Sequence, residues 1–357
     1  MIPMFKVATA DNAWEYVKKT LDSGMIGEGP KVVEFKQALE DRFACKNLLP
    51  LNSGTSALTL ALRLANVEGG EVITTPFTMI ATNVAIKAAG AKVVFADIEP
   101  NSVNISVESI KKKITSKTRA IVVVHVGGIS CDMEGLKKLK IPIISDAAHA
   151  IDTYYHRKHI SHWADYTCFS FQSIKQLNTG DGGAIVIKDK RKYELAERLK
   201  WFGMSRIVPK GMTRLQHQMT ADVKEWGYKM HMNDISASLG LANLDLLDGI
   251  SFKQRDNAKY YLDHLEGLPS IPADCIPSWW AFYILVKNRP HFIKYMAEQG
   301  IETTPMWRRN DEYSCFKKAN LPNMTALQKK IIFIPVGWWL TEKDKQHIVK
   351  TIANYES

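Results

Sequence analysis

The pattern that most constrains the fold is a series of short, almost continuously apolar runs between residues 45 and 190. The runs are rich in valine and isoleucine, and segments of helical length separate them. Such runs are typical of parallel strands that helices cover on both faces of a sheet. We therefore predict an α/β fold with a mostly parallel central sheet and helices on both faces. Its clearest strands are predicted at 71–76, 91–98, 119–126 and 141–150.

The pattern of strand-like and helix-like segments changes after about residue 250, which predicts two domains. Residues 1–248 are predicted to form a large α/β domain, and residues 249–357 a smaller α+β domain with a strand at 280–286. A chain of 357 residues is long enough for such a division. Within the large domain we predict helices at 55–70, 191–203 and 233–250, and a long polar excursion at 204–226.

Composition excludes several classes of protein. No window approaches 18 uninterrupted apolar residues, so no membrane span is predicted. The five cysteines are scattered and form no C-x-x-C pair, which favours a reducing, cytoplasmic setting over a disulfide framework. The net charge of +10 favours an anionic partner. Because the basic residues are dispersed, we expect a phosphorylated small molecule and not nucleic acid.

The stretch HRKHISH places His156, His159 and His162 at three-residue spacing, as a zinc site would. Strand-like segments flank it, and a spacing of three alternates faces on a strand. We therefore predict a hairpin here and no metal.

Polar residues follow two of the predicted strands. Ser53 to Ser56 open a predicted helix, where free N–H groups and the helix dipole favour an anion such as phosphate. The same residues would also serve as an ordinary helix cap. Asp146 ends a buried strand, at the sheet edge where open α/β folds bind ligands. A carboxylate there would pair with a positive group, or it would cap the helix that follows.

Lys175 lies between a strand-like run and a glycine-rich turn in the stretch FSFQSIKQLNTGDGG. A lysine that attacks a carbonyl must be neutral, which desolvation favours. Pyridoxal phosphate (PLP) has a phosphate, a ring nitrogen and an aldehyde. These groups match residues 54–56, Asp146 and Lys175 in chain order, and PLP enzymes pair a lysine with a carboxylate at the ring nitrogen. We therefore predict PLP as the cofactor.

These motifs resemble the DegT/DnrJ/EryC1/StrS family of sugar aminotransferases, which have the fold-type I PLP architecture. The resemblance covers nearly the whole chain and includes NSGTSAL, TTPFTMIATNVAI, ISDAAHAIDTYY, CFSFQSIKQLNTGDGG and GYKMHMNDISASLGLANL. It implies a homodimer with shared active sites that uses glutamate to aminate a nucleotide-diphosphate keto-sugar, with a 4-keto-6-deoxy sugar as the commoner substrate. The alternatives are a 3-keto sugar aminotransferase, a PLP-dependent sugar dehydratase and a non-catalytic relative.

The resemblance also implies roles for individual residues. Lys175 would be the catalytic Schiff-base lysine, Asp146 the partner of the ring nitrogen, and His149 a neighbour of the ring hydroxyl. The cofactor phosphate would be held by Gly54, Thr55, Ser56 and Ser170.

Three positions depart from the family pattern. Met79 stands where relatives carry an aromatic ring that packs on the cofactor. Lys229 stands where many relatives carry the asparagine that reaches the partner subunit's phosphate. His231 and Asn233 follow it, and a residue of 229–233 is expected to make this contact, with Asn233 included among the predicted cofactor-binding residues. Trp307 stands where a histidine is usual in the segment PMWRRNDEYSCF.

Overall fold

The computed structural model describes residues 1–356, which form a layered α/β structure. The strands are β1 (Leu48–Leu51), β2 (Glu71–Thr74), β3 (Lys92–Phe95), β4 (Thr118–Val124), β5 (Ile143–Asp146), β6 (Tyr154–Tyr155), β7 (Lys158–His159), β8 (Tyr166–Ser170), β9 (Gly183–Ile187), β10 (Cys275–Ile276), β11 (Phe282–Leu285) and β12 (Ile331–Ile334). The helices are α1 (Ala13–Asp22), α2 (Pro30–Arg42), α3 (Gly54–Leu64), α4 (Ile80–Ala88), α5 (Val107–Lys111), α6 (Met133–Lys137), α7 (Lys190–Leu199), α8 (Arg214–Thr220), α9 (Asp234–Leu244), α10 (Leu247–His264), α11 (Arg289–Glu298), α12 (Pro322–Leu327) and α13 (Glu342–Glu356).

Seven strands form the central sheet in the order β1-β9-β8-β5-β4-β2-β3. The pairings from β8 through β5, β4 and β2 to β3 are parallel, and only β9 pairs antiparallel with its neighbours. The mostly parallel sheet predicted from the sequence is therefore confirmed. Because the carboxyl ends of parallel strands share one edge, the ends of β4, β5 and β8 lie side by side.

Both faces of the sheet are buried, which explains the continuous apolarity of the strands. In β4, Ala120 and Val122 face a core formed with α3, α4 and α7. The alternate residues Ile121 and Val123 face a second core formed with α2, α6 and α9. Side chains alternate between the two faces along a strand. Every position of a strand that is buried on both faces therefore favours an apolar residue.

Several predicted elements have different bounds in the structure. The helix predicted at 191–203 ends at Leu199, and the strands predicted at 91–98 and 141–150 end at Phe95 and Asp146. The helix predicted to run to residue 70 ends at Leu64, and Asn66 follows in the left-handed region with a φ of 52°. The helix predicted over 233–250 is two helices, α9 and α10, with a turn at Leu246 between them. The predicted polar excursion at 204–226 contains the helix α8. A capping box formed by Thr213 and Gln216 stabilises the start of this helix.

The C-terminal part contains the antiparallel pair β11–β12, with α10, α11 and α13 packed in the same region. Two smaller strand pairs, β6–β7 and β6–β10, form the hairpin region predicted around His156. The division at residue 248 stays a prediction; α10 begins at Leu247, beside it. The segment before β11 extends to the edge of the central sheet at which the parallel strands have their carboxyl ends.

Within residues 1–356, no helix combines the length and the apolarity needed to cross a membrane.

Candidate active site

A cavity of about 420 Å³ opens at the carboxyl edge of the parallel strands. Its walls come from the ends of β5 and β8, the start of α3, the residues before α4, and two segments of the C-terminal part. Seven of the predicted site residues line it: Gly54, Thr55, Met79, Asp146, His149, Ser170 and Lys175. The structure therefore brings together residues that span 122 positions of the sequence, from 54 to 175.

Lys175 lies in the loop that follows β8. Its backbone N–H donates to the carbonyl of Gln172 at 2.8 Å, which closes a turn and directs the half-buried side chain into the cavity. Desolvation lowers the pKa of the Lys175 amine to about 7, although the attraction of Asp146 acts in the opposite direction. A lysine with this pKa is substantially neutral near physiological pH, as a nucleophile or a base must be.

Asp146 is the last residue of β5 and is buried. Its Oδ2 accepts a 2.8 Å hydrogen bond from the Thr82 hydroxyl, and its Oδ1 accepts a 3.1 Å bond from the Ala148 N–H. Burial raises the pKa of the Asp146 carboxyl, while these two bonds and the Lys175 amine favour its ionised form. Because an ionised carboxylate has about four acceptor positions, it keeps the capacity to bind a protonated ring nitrogen.

His149 is buried, and burial holds the pKa of its imidazole well below the usual range, so the ring is neutral. The ring stacks on Trp280, with centroids 3.9 Å apart and planes 4° apart. Trp307 lies nearly parallel on it at 5.4 Å. The buried Nδ1 of His149 has no partner among the described residues. An unpaired buried nitrogen in a residue that lines a cavity is costly, and the ring hydroxyl of PLP would supply its missing partner.

The start of α3 approaches β8 so closely that only glycine fits at position 54. A Cβ on Gly54 would lie 2.9 Å from the Cβ of Ser170. Ser53 caps the helix by accepting the Ser56 N–H at 3.0 Å. Thr55, Ser170 and the N-terminus of α3 thus line the cavity together, as the parts of an anion-binding cradle would.

Two predicted site residues lie outside this cavity. The Ser56 hydroxyl donates to Asn52 Oδ1 at 2.6 Å, which occupies it locally. Asn233 is exposed and caps α9, since its Oδ1 accepts the Ser236 N–H at 2.8 Å. The exposure of Asn233 leaves it accessible to a second molecule.

Sequence reasoning missed two contributors to the site. Thr82, which hydrogen-bonds Asp146, lies three residues after Met79, so helical spacing places it toward the same cavity. Trp280 is only 5% exposed, as a core residue would be, yet it lines the cavity beside His149 and Lys175. Nothing in the local sequence distinguishes it from Trp279, which packs on Phe282.

The sequence model of the DegT/DnrJ/EryC1/StrS aminotransferase family matches residues 8–353. The chain belongs to this family. Family membership accounts for the arrangement of Lys175 and Asp146 at the cavity, and the unpaired His149 Nδ1 fits the cofactor of these enzymes. The protein is therefore a PLP-dependent sugar aminotransferase.

Named relatives of this aminotransferase act on several sugars. The chain is 32% identical to GDP-perosamine synthase of Escherichia coli O157:H7, over 86% of this chain and 84% of the relative. It is 30% identical to dTDP-3-amino-3,6-dideoxy-alpha-D-galactopyranose transaminase of Aneurinibacillus thermoaerophilus, over 95% and 94% of the two chains. Among solved structures, AtS13 from Actinomadura melliaura superposes with a TM-score of 0.94 at 35% identity, over 99% of this chain and 98% of that one.

Replacement of Gly54 by alanine is expected to weaken PLP binding at least about tenfold and to destabilise the protein by about 1–3 kcal/mol. The added methyl group would displace Ser170, whose Cβ lies 2.9 Å away. Cofactor titration and thermal unfolding of the apoprotein measure the two effects. The matched control is Gly249→Ala in α10, where a Cβ has nothing within 4 Å. Equal affinities in the two variants would contradict a phosphate cradle at Gly54.

Proposed function

We propose that this enzyme transfers an amino group from glutamate to the keto group of a nucleotide-diphosphate sugar, with a 4-keto-6-deoxy sugar as the acceptor. The observation that carries the proposal is the placement of Lys175 and Asp146 in one cavity, where the lysine has a pKa of about 7. The names of two relatives, a GDP-sugar and a dTDP-sugar enzyme, support a nucleotide-linked acceptor.

The cavity residues divide the work of the reaction. PLP, when bound, supplies an aldehyde that carries the amino group and a ring that accepts electrons. In each half-reaction, Lys175 Nζ would move a proton between the substrate carbon that bears the nitrogen and the C4′ carbon of the cofactor. Asp146 would hold a proton on the ring nitrogen, and neutral His149 would be the partner of the ring hydroxyl. Gly54, Thr55 and Ser170 would bind the phosphate, and Met79 would pack on the ring.

Charge and compartment fit this acceptor. The chain has a net charge of +10, which attracts a diphosphate-bearing substrate. All five cysteines are free thiols, as expected for an enzyme that acts in the reducing cytoplasm.

We propose further that two copies form a homodimer with shared active sites. The segment 202–226 exposes a row of large apolar side chains that a second copy would cover: Phe202, Ile207, Met212, Leu215, Met219, Val223 and Trp226. Asn233 of each copy would reach across this interface to the phosphate site of the other copy. Ser56, near the cradle of that copy, would complete the site with it. Light scattering checks the mass, and a monomeric active enzyme would contradict the proposal.

A panel of dTDP-, UDP- and GDP-linked keto-sugars tests the substrate. We expect glutamate to convert the bound PLP to its amine form, and a 4-keto-6-deoxy sugar to restore it with the appearance of an amino sugar in the mass spectrum. Turnover of 3-keto sugars alone would overturn the 4-keto assignment. Failure of glutamate where another amino donor works would overturn the donor assignment.

A further inference from the structure

The amine of Lys175 has an unusual set of neighbours. Among the side chains that the structure describes, none accepts a hydrogen bond from Nζ or forms an ion pair with it. Its nearest recorded partner is the indole of Trp280, with Nζ 3.9 Å from the ring centroid. The titratable groups that line the cavity with it are Asp146, His149, Cys168 and Asp181, and only Asp146 attracts it appreciably.

Trp280 is fixed in place from several sides. Its Nε1–H donates to the carbonyl of Ile174 at 3.0 Å, one residue before the lysine. Phe5 stacks on the indole at 4.9 Å, and His149 stacks on it at 3.9 Å. A ring held by a hydrogen bond and by two stacked neighbours keeps its position while the lysine side chain moves.

The backbone next to Trp280 forms hydrogen bonds with the loop that contains His149 and with the loop that contains Lys175. The Ser278 hydroxyl donates to the His149 carbonyl at 2.6 Å, and the Ser278 carbonyl accepts the Gln176 side-chain N–H at 2.8 Å. The segment 278–280 therefore connects both sides of the lysine loop to the His149 loop.

We propose that the face of Trp280 holds the Lys175 ammonium whenever the lysine is released from the cofactor with a proton on it. Trp280 is then a positioning residue for the proton transfers that the proposed function assigns to Lys175, and the inference rests on that function. An indole face attracts a cation through its quadrupole and attracts a neutral amine much less. It therefore stabilises the charged form selectively, against the desolvation that favours the neutral form.

This contact also explains how a proton can stay on Lys175 between the two transfers. Nζ forms no hydrogen bond with a side chain that the structure describes, and a charge that is removed from water without a partner is costly. The fixed indole reduces that cost without forming a hydrogen bond, which would have to break before the proton moves on.

Site-specific fluorination of Trp280 tests the proposal. One, two and three fluorine atoms withdraw electron density from the ring face while they keep its shape and its N–H. We expect the pKa of Lys175 in the full-length apoprotein to fall stepwise, by about one unit over the series. The pKa is measured from the pH dependence of Lys175 acetylation, which is followed by mass spectrometry of the peptide.

The same series at Trp279 is the control, because that buried ring packs on Phe282 and lies outside the cavity. An unchanged Lys175 pKa across the Trp280 series, or equal shifts from both positions, would overturn the proposal. A Trp280→Leu variant adds a second readout: in the pH profile of the half-reaction with glutamate, the limb that Lys175 produces should shift to lower pH. Because acetylation needs no cofactor or sugar, a wrong substrate assignment would leave the first result unaffected.

Discussion

Replacement of Lys175 by alanine is expected to lower kcat for amino transfer at least about 10⁴-fold, because the proposed function assigns both the covalent attachment of the cofactor and the proton transfer to this residue. The depressed pKa of about 7 and the position in the cavity carry this expectation. The variant should still bind PLP, since the phosphate cradle and Asp146 are intact. Single-turnover absorbance with glutamate measures the loss, and borohydride reduction should attach the cofactor covalently only to the unsubstituted enzyme.

The control for this prediction is Lys188→Ala. Lys188 is an exposed lysine directly after β9 and does not line the cavity, so its loss should leave kcat unchanged. Retention of more than about one-hundredth of the activity by Lys175→Ala would assign the base to another residue. Added methylamine should restore part of the activity in the space that the alanine leaves.

The main features of the site were predictable because they follow from strand order. Asp146 and Lys175 each come after a strand whose apolar run is unmistakable, and parallel strands end at one edge. Gly54 permits a close approach between the start of α3 and the end of β8, and the short distance to Ser170 gives the physical reason for a glycine there.

The remaining features of the site depend on contacts between segments that are distant in the sequence. Trp280 reaches Lys175 from a position that is more than a hundred residues later in the chain, and two adjacent tryptophans look alike as sequence. The hydrogen bond from Thr82 to Asp146 depends on how α4 packs beside β5, which no local pattern specifies. The exposure of Met79 and Asn233 depends on tertiary packing in the same way: Met79 is 53% exposed although it lines the cavity, and Asn233 caps a helix on the surface.

Asp146→Asn is expected to lower kcat/KM for amino transfer by about 10²–10³-fold, the loss typical of one preorganised electrostatic group in a buried site. The amide keeps the shape of the carboxylate and loses its charge, so it cannot hold a proton on the ring nitrogen. It also has a single acceptor oxygen, whereas the carboxylate accepts from both Thr82 and Ala148. We therefore expect a modest loss of stability, about 1 kcal/mol, beside the large loss of rate.

Two measurements separate these effects. Thermal unfolding reports the broken hydrogen bond, and the pH dependence of the bound cofactor's spectrum reports the ring nitrogen, which should lose its proton at a lower pH in the variant. The control Asp274→Asn removes an exposed carboxylate outside the cavity and should change neither rate nor spectrum. If Asp146→Asn lost stability but kept its rate and its spectrum, Asp146 would be only a structural cap at the end of β5. Burial raises the pKa of Asp146, and a bound pyridinium would add to the two hydrogen bonds and the Lys175 amine that favour its ionised form. The spectral shift is the direct test of that pairing.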